Sequence, residues 1–135
     1  ADGVRIGQQT RAPFGFCYRT VLGNDTQKNK YRYKLHLVYG CEASPSSKEH
    51  GSVNDSPEPA EMSWEVNTTP VPVKGHEPTA TMEVDSTKTP PEKLKLLEDI
   101  LYGKDPTSDD SDDGTDPRLP LPDEVIALVG IAAVA

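Results

Sequence analysis

The chain has 135 residues, 34% of them hydrophobic, with 13 prolines and 14 Lys and Arg against 22 Asp and Glu for a net charge of -8. This length gives one domain, whole or partial, with a modest core, and the longest apolar run, residues 125–135, covers about half of the roughly 20 residues that a membrane-spanning helix needs. Residues 76–135 hold 14 acidic and 5 basic side chains, whereas residues 1–75 hold 8 and 9, and a field of that sign argues against a protein that grips nucleic acid by neutralising phosphates.

The chain starts at Ala1 without an initiating Met or a basic-then-apolar leader pattern, so a fragment or processed product is expected. Strands are predicted over about 12–40. Phe14, Phe16 and Tyr18 alternate with Gly15, Cys17 and Arg19, residues 23–29 supply Gly, Asn and Asp as turn chemistry, and Tyr31, Tyr33, Leu35, Leu37 and Tyr39 then alternate with Arg32, Lys34 and His36. Period two over nine residues is a strand signal, and the two segments make a hairpin with a loop. Residues 42–60 turn to Ser, Pro, Glu, Lys and Gly, with too little apolar surface to offset the entropy of ordering, which predicts a long mobile insertion.

Strands resume over about 61–85. Met62, Trp64 and Val66 alternate with polar neighbours, as do Ala80, Met82 and Val84, so each of the four strands has an apolar and a polar side. The three prolines of residues 70–78 exclude a central strand there and predict an edge or crossing segment. A helix is predicted over about 90–102, with Thr89 as N-cap, Pro90 at the first helical position and Glu92 completing a capping box. Leu94, Leu96, Leu97, Ile100 and Leu101 share a face of about 160°, and Gly103 ends the helix. After an acidic loop over 104–117, Pro122, Asp123 and Glu124 open a short helix through about Val129.

Few side chains are placed for chemistry. Cys17 and Cys41 lack the spacing of a zinc site or a disulfide framework; they read as buried free thiols in a reducing compartment, with a cross-strand bridge as the alternative. The carboxylates from Asp105 to Asp116 invite a calcium reading, but with Gly114 at the sixth position of an EF-hand loop the twelfth is Pro120, where a bidentate Glu is needed. His36, His50 and His76 are scattered, with no adjacent nucleophile and orienting carboxylate. Arg32, Lys34 and His36 with the nearby tyrosines suggest a single-strand binder, but cations and rings fall on opposite faces. The glycines are dispersed and make no phosphate loop. What stands out is the apolar surface of the two helices and of residues 131–135 beside so little chain to cover it, the pattern of an assembly subunit.

The order of segments resembles the major tail protein of long-tailed bacteriophages, mainly its second half. The resemblance is carried by residues 12–18 (APFGFCY) with 30–39 (KYRYKLHLVY), 62–72 (MSWEVNTTPVP), 80–87 (ATMEVDST), 91–103 (PEKLKLLEDILYG) and 116–129 (DPRLPLPDEVIALV). It implies a mainly β, α+β fold: an antiparallel β-sandwich or barrel of the tail-tube type with a flanking α-helix and a short C-terminal helix. It further implies a structural, non-enzymatic virion protein without cofactor or metal. Six copies would form a ring, and stacked rings would form the tube through which DNA passes without specific binding. Implied partners are further copies of the chain, the tape measure and the tail terminator; assembly would take place in the bacterial cytoplasm, with no membrane. The expected interface residues are Leu94, Leu97, Ile100, Leu101, Tyr31, Tyr33, Val125 and Ile126, and for the leucines and tyrosines among them a core role is the competing expectation. An interaction module of another virion or secretion-tube assembly, binding one partner through the helices, is the alternative function.

Overall fold

A computed structural model describes residue 3 and residues 10–24, 28–45, 64–106 and 113–130; within these, the side chains of 24, 28–31 and 45 lie outside the description. In chain order the elements are β1 (Phe14–Asn24), β2 (Lys28–Pro45), β3 (Trp64–Thr68), β4 (Val71–Val73), β5 (His76–Thr79), β6 (Thr81–Asp85), α1 (Pro91–Tyr102) and α2 (Pro122–Val129). The fold is α+β and mostly β. A four-stranded antiparallel sheet is built on β2, with β1 along one edge and β6 and β3 along the other, and β4 and β5 form a separate two-stranded sheet. Both sheets are open among the described residues, where no barrel closes.

Strand β2 has 18 residues, its alternation over residues 31–39 continued past the irregularity at Gly40, and it runs through Pro45, so the first residues of the predicted insertion are strand. The rest of that insertion lies outside the described residues. β6 pairs with β2 from Lys34↔Asp85 to Val38↔Thr81, and β3 pairs from Cys41↔Thr68 to Pro45↔Trp64. The two are collinear. Between them the chain leaves the sheet at Thr69 and returns at Ala80, and the ladder is bridged by Thr69 N–H to Gly40 O (2.9 Å) and Tyr39 N–H to Ala80 O (2.8 Å). Gly40 sits here at φ +58°, where a Cβ would collide with the Thr69 carbonyl. The proline-bearing excursion forms the β4–β5 hairpin, turning at Lys74 and Gly75, which agrees with a segment barred from the sheet interior.

One face of the large sheet meets the helices. Leu35, Leu37 and Tyr39 of β2 and Val84 of β6 pack with Leu94, Leu97 and Leu101 of α1 and Val125 of α2. Leu35, Leu37, Leu97 and Val125 are wholly buried. Tyr39 ties this core to the segment before α2, donating its hydroxyl to the Pro120 carbonyl at 2.9 Å. Burial pushes the Tyr39 phenol up to about 12, so it remains a donor at any ordinary pH.

Helix α1 begins one residue later than its sequence pattern predicts. Pro90 is the N-cap, with φ -55° and ψ 136°, and no side chain caps the helix. The reason is Pro91: a residue before proline is driven out of the α region, so Pro90 stays extended and the predicted Thr89 capping box does not form. Thr89 instead donates its N–H to Asp85 O at 3.1 Å, while Leu94 N–H to Pro90 O at 3.0 Å closes the first helical turn. The helix end and both limits of α2 agree with expectation.

Two substitutions on α1 separate a core helix from an interface helix. Leu97→Ala is expected to cost about 2 to 4 kcal/mol of unfolding free energy. Leu96→Ala, on an exposed neighbour, is expected to change it by less than about 0.5 kcal/mol. Denaturant titration of both variants at low concentration reads the difference, and equal costs would show that the Leu97 face is not the chain's own core.

Candidate assembly surface

The face of the large sheet away from the helices carries an aromatic row. Phe14, Phe16 and Tyr18 alternate along β1 and, by register, stand across from β2 positions on that outer face, Phe16 opposite Val38 and Tyr18 opposite His36. Ring centroids lie 6.2 Å apart for Phe14 and Phe16 and 6.1 Å for Phe16 and Tyr18, and Tyr18 stacks on the His36 imidazole at 4.6 Å. These rings are exposed by 43%, 37% and 48% for Phe14, Phe16 and Tyr18. Leu22 on β1 and Trp64 and Val66 on β3 are exposed as well. Exposed aromatics in such a row make this face the candidate contact surface among the described residues.

Polar groups on the same face are matched to one another. His36 Nε2 and Thr20 Oγ1 lie 2.8 Å apart, and Lys34 Nζ reaches Glu83 Oε1 at 2.6 Å. That lysine, by hydrogen bond and charge, holds the Glu83 carboxyl below the usual range against the opposing effect of desolvation. Arg32 grips Asp85 with two nitrogens, Nε donating to Oδ1 at 3.2 Å. Asp85 also accepts from the Thr87 N–H at 3.0 Å and hydroxyl at 2.8 Å. Desolvation is the largest single influence on Asp85 and pushes its pKa up; the Thr87 N–H, Arg32 and the Thr87 hydroxyl together outweigh it and hold the carboxyl at about 2.

The outer edge of β1 pairs with no strand among the described residues, and neither does the edge of β6 and β3 away from β2. β1 has 11 residues with Arg19 as its one charge and no proline, so it lacks most of the devices that keep edge strands from pairing. Its inner side is thin. Cys17 is half-buried against the core cluster, and Arg19 lies over the Tyr33 ring at 5.3 Å from its centroid.

The expected interface residues do not assemble into one exposed face. Leu94, Leu97, Leu101 and Val125 are core residues of the chain itself, so the competing core expectation describes the leucines. Ile100 and Ile126 are half-buried. Tyr33 is half-buried beside the core, donating its hydroxyl to Glu98 Oε1 at 2.7 Å; burial first, then Glu98, pushes its phenol up to about 12. The Tyr31 side chain lies outside the described residues. The aromatic row was missed because the alternation marks Phe14, Phe16 and Tyr18 only as the apolar side of β1, whereas it is the register to β2 that turns them outward. β3 is exposed along its whole length, Trp64 and Val66 included, so its apolar side meets no core among the described residues, while Met62 lies outside them.

The remaining chemical candidates stay apart. Cys17 and Cys41 are free thiols, Cys41 buried, and desolvation raises both pKa values, which leaves them protonated and unreactive. Among the described residues no cluster of three or more His, Cys, Asp or Glu side chains is placed to hold a metal ion. His36 has Glu83 nearby, Nδ1 to Oε2 3.8 Å, on the open sheet surface; His76 is exposed on β5, and His50 lies outside the described residues. No helix among the described residues is long and apolar enough to cross a membrane. No protein-family model, curated protein or solved structure matches the chain.

Asp85 makes the sheet acid-sensitive in a calculable direction. Its folded pKa of about 2 lies below the unreacted value of 3.8, so its contribution is complete above about pH 4 and is lost as pH falls toward 2. Asp85→Asn is expected to lower stability by about 1 to 2 kcal/mol at pH 7 and to match the parent chain near pH 2. Unfolding curves at the two pH values check this, and an unchanged difference at pH 2 would assign the loss to something other than the carboxylate charge.

Proposed function

We propose that the chain is a structural, non-enzymatic subunit of a bacteriophage tail tube, six copies to a ring and rings stacked into the conduit for the genome, within the virion tail. The observation that supports this reading best is the sheet itself. It is covered by helices on one side only, is open at both edges among the described residues, and displays Phe14, Phe16 and Tyr18 on the uncovered side. An isolated sheet of this kind leaves unpaired backbone groups in water, which are satisfied when copies join edge to edge in a closed ring, and the rings of Phe14, Phe16 and Tyr18, standing on the edge strand β1 itself, are covered in part by the strand that joins there. Closed symmetry matters, because an open chain of such contacts would run on into fibres.

In this reading the sheets of adjacent subunits line the lumen. The net charge of -8 suits a channel wall past which phosphate must move without sticking. The helix layer lies on the other side of the sheet, available to neighbouring tail components such as the tape measure or tail terminator. A role in a virion tail agrees with the likeness of residues 91–103 and 116–129 to the C-terminal part of major tail proteins.

Negative-stain electron microscopy of the purified protein, with its intact mass recorded on the same sample, tests the proposal. Six-fold rings or tubes are expected. Phe16→Ser with Tyr18→Ser is expected to abolish them while shifting the unfolding free energy of the single chain by less than about 1 kcal/mol, as suits exposed positions. Monomers or dimers alone, with saturable one-to-one binding to some other protein, would overturn it in favour of a single-partner interaction module.

A further inference from the structure

The two edges of the large sheet differ on the side that carries the helices. At the β1 edge, Val21 stands across from Tyr33 and Arg19 across from Leu35. Tyr33 and Leu35 belong to the core side, so Arg19 and Val21, two residues apart, also project toward the helix layer. The described helices leave both uncovered: Val21 is 46% exposed, and Arg19 is exposed over the Tyr33 ring, with no ion pair among the described residues.

At the far edge, β6, the β4–β5 hairpin and α2 border an open crevice of about 270 Å³. Its floor is apolar, with Met82, Val84, Val125 and Val129, whereas its rim is polar, where His76 and two threonines stand with the carboxylates of Glu77 and Glu83. Glu83 is held by Lys34. Glu77 is exposed and makes neither an ion pair nor a hydrogen bond among the described residues. The volume exceeds that of an engineered apolar cavity of about 150 Å³ that admits benzene, so a branched aliphatic side chain has room there. Along the crevice runs β6, whose edge away from β2 pairs with no strand among the described residues.

One edge thus projects an apolar side chain beside a cation, and the other offers an apolar hollow beside a carboxylate. We propose that Val21 of one copy enters the crevice of the next, with β1 of the first added to the free edge of β6 and its Arg19 directed to Glu77. This rests on the edge-to-edge joining proposed above and names the edges that meet and the side chains that match them. β1 and β6 both run antiparallel to β2, so copies repeated head to tail about an axis along the strands set β1 parallel to the neighbour's β6. A continued sheet keeps its faces, and side chains that stand toward the helices in one copy stand toward the helices of the next. In the parallel sense Arg19 comes before Val21 as the hairpin comes before β6, which sets the guanidinium on the side where Glu77 lies. The contact is heterologous, β1 meeting β6 and not another β1, as a ring of more than two copies requires.

The test mixes full chains carrying Val21→Cys with full chains carrying Met82→Cys or Val129→Cys, under mild oxidation, with disulfides mapped by peptide mass. A bond joining position 21 of one chain to position 82 or 129 of another is expected, at a yield severalfold above that of Val21→Cys mixed with Leu96→Cys, an exposed position on α1. A yield equal to that control would overturn the proposal, and so would a higher yield of bonds between two copies of Val21→Cys alone, which would assign β1 to a two-fold contact with itself. A second readout adds no cysteine: Arg19→Glu is expected to raise the concentration at which chains associate by about threefold, as suits an exposed ion pair, and Glu77→Lys in the same chain to reverse the change. Failure of that reversal would overturn the pairing of Arg19 with Glu77. Electron microscopy of the same mixtures reads the tube separately, since rings without the bond remove this contact alone and the bond without six-fold rings removes the tube alone.

Discussion

The whole fold depends on β2. Every other strand of the large sheet hydrogen-bonds to it and to no other described strand, and its inward side chains Leu35, Leu37 and Tyr39 are the floor on which α1 and α2 rest. One strand therefore specifies the sheet order, the face that becomes core and the place of the helices. The consequence is two edges that no described strand pairs. A sheet in which three strands lean on a fourth is closed by none of its described strands, and its aromatic outer face has no described layer above it. The unpaired edges among the described residues are thus a consequence of the topology and not of any single side chain.

The collinear arrangement of β3 and β6 follows from a local feature of β2. At Gly40 the backbone turns to positive φ, the register to β1 shifts between Phe14 and Phe16, and the opposite ladder is interrupted by the β4–β5 hairpin. A bulge on one side and an excursion on the other relieve the same stretch of strand. The hairpin is not idle: Asp123 at the start of α2 accepts from the Lys74 N–H at 2.8 Å. The irregularity in the sheet is in this way coupled to the helix layer through the hairpin.

What could be read from the sequence is what depends on neighbours in the chain. β2 was legible because its two faces have different surroundings, core and solvent, and each left its own residue types. α2 was legible from Pro122 and its two carboxylates, and α1 within one residue, the error coming from Pro91 acting backward on Pro90. β1 and β3 were legible as strands, but neither the outward turn of the β1 rings nor the exposure of both sides of β3 was. Phe14, Phe16 and Tyr18 look like a buried side until the register to β2 is known, and register is a property of two segments at once. Leu94, Leu97 and Leu101 present the same pattern whether they meet their own sheet or another subunit, so the periodicity alone carried both expectations. The exposed aromatic row was hidden for this reason: its residue types are those ordinarily found in a core.

The charges on the uncovered face bear on what can cover it. Arg32 is held by Asp85 and Lys34 by Glu83, and His36 is satisfied by Thr20. A surface whose ions are already paired presents a smaller desolvation cost to an incoming layer than one with lone charges, since no buried ion is left without a partner. The apolar rings between these pairs can then supply the gain from burial. The same pairs limit which surfaces fit, because a covering layer with its own unmatched charge would have to break one of them or bury that charge alone. Specificity on this face arises as much from the pairs that are already closed as from the aromatic row that invites contact.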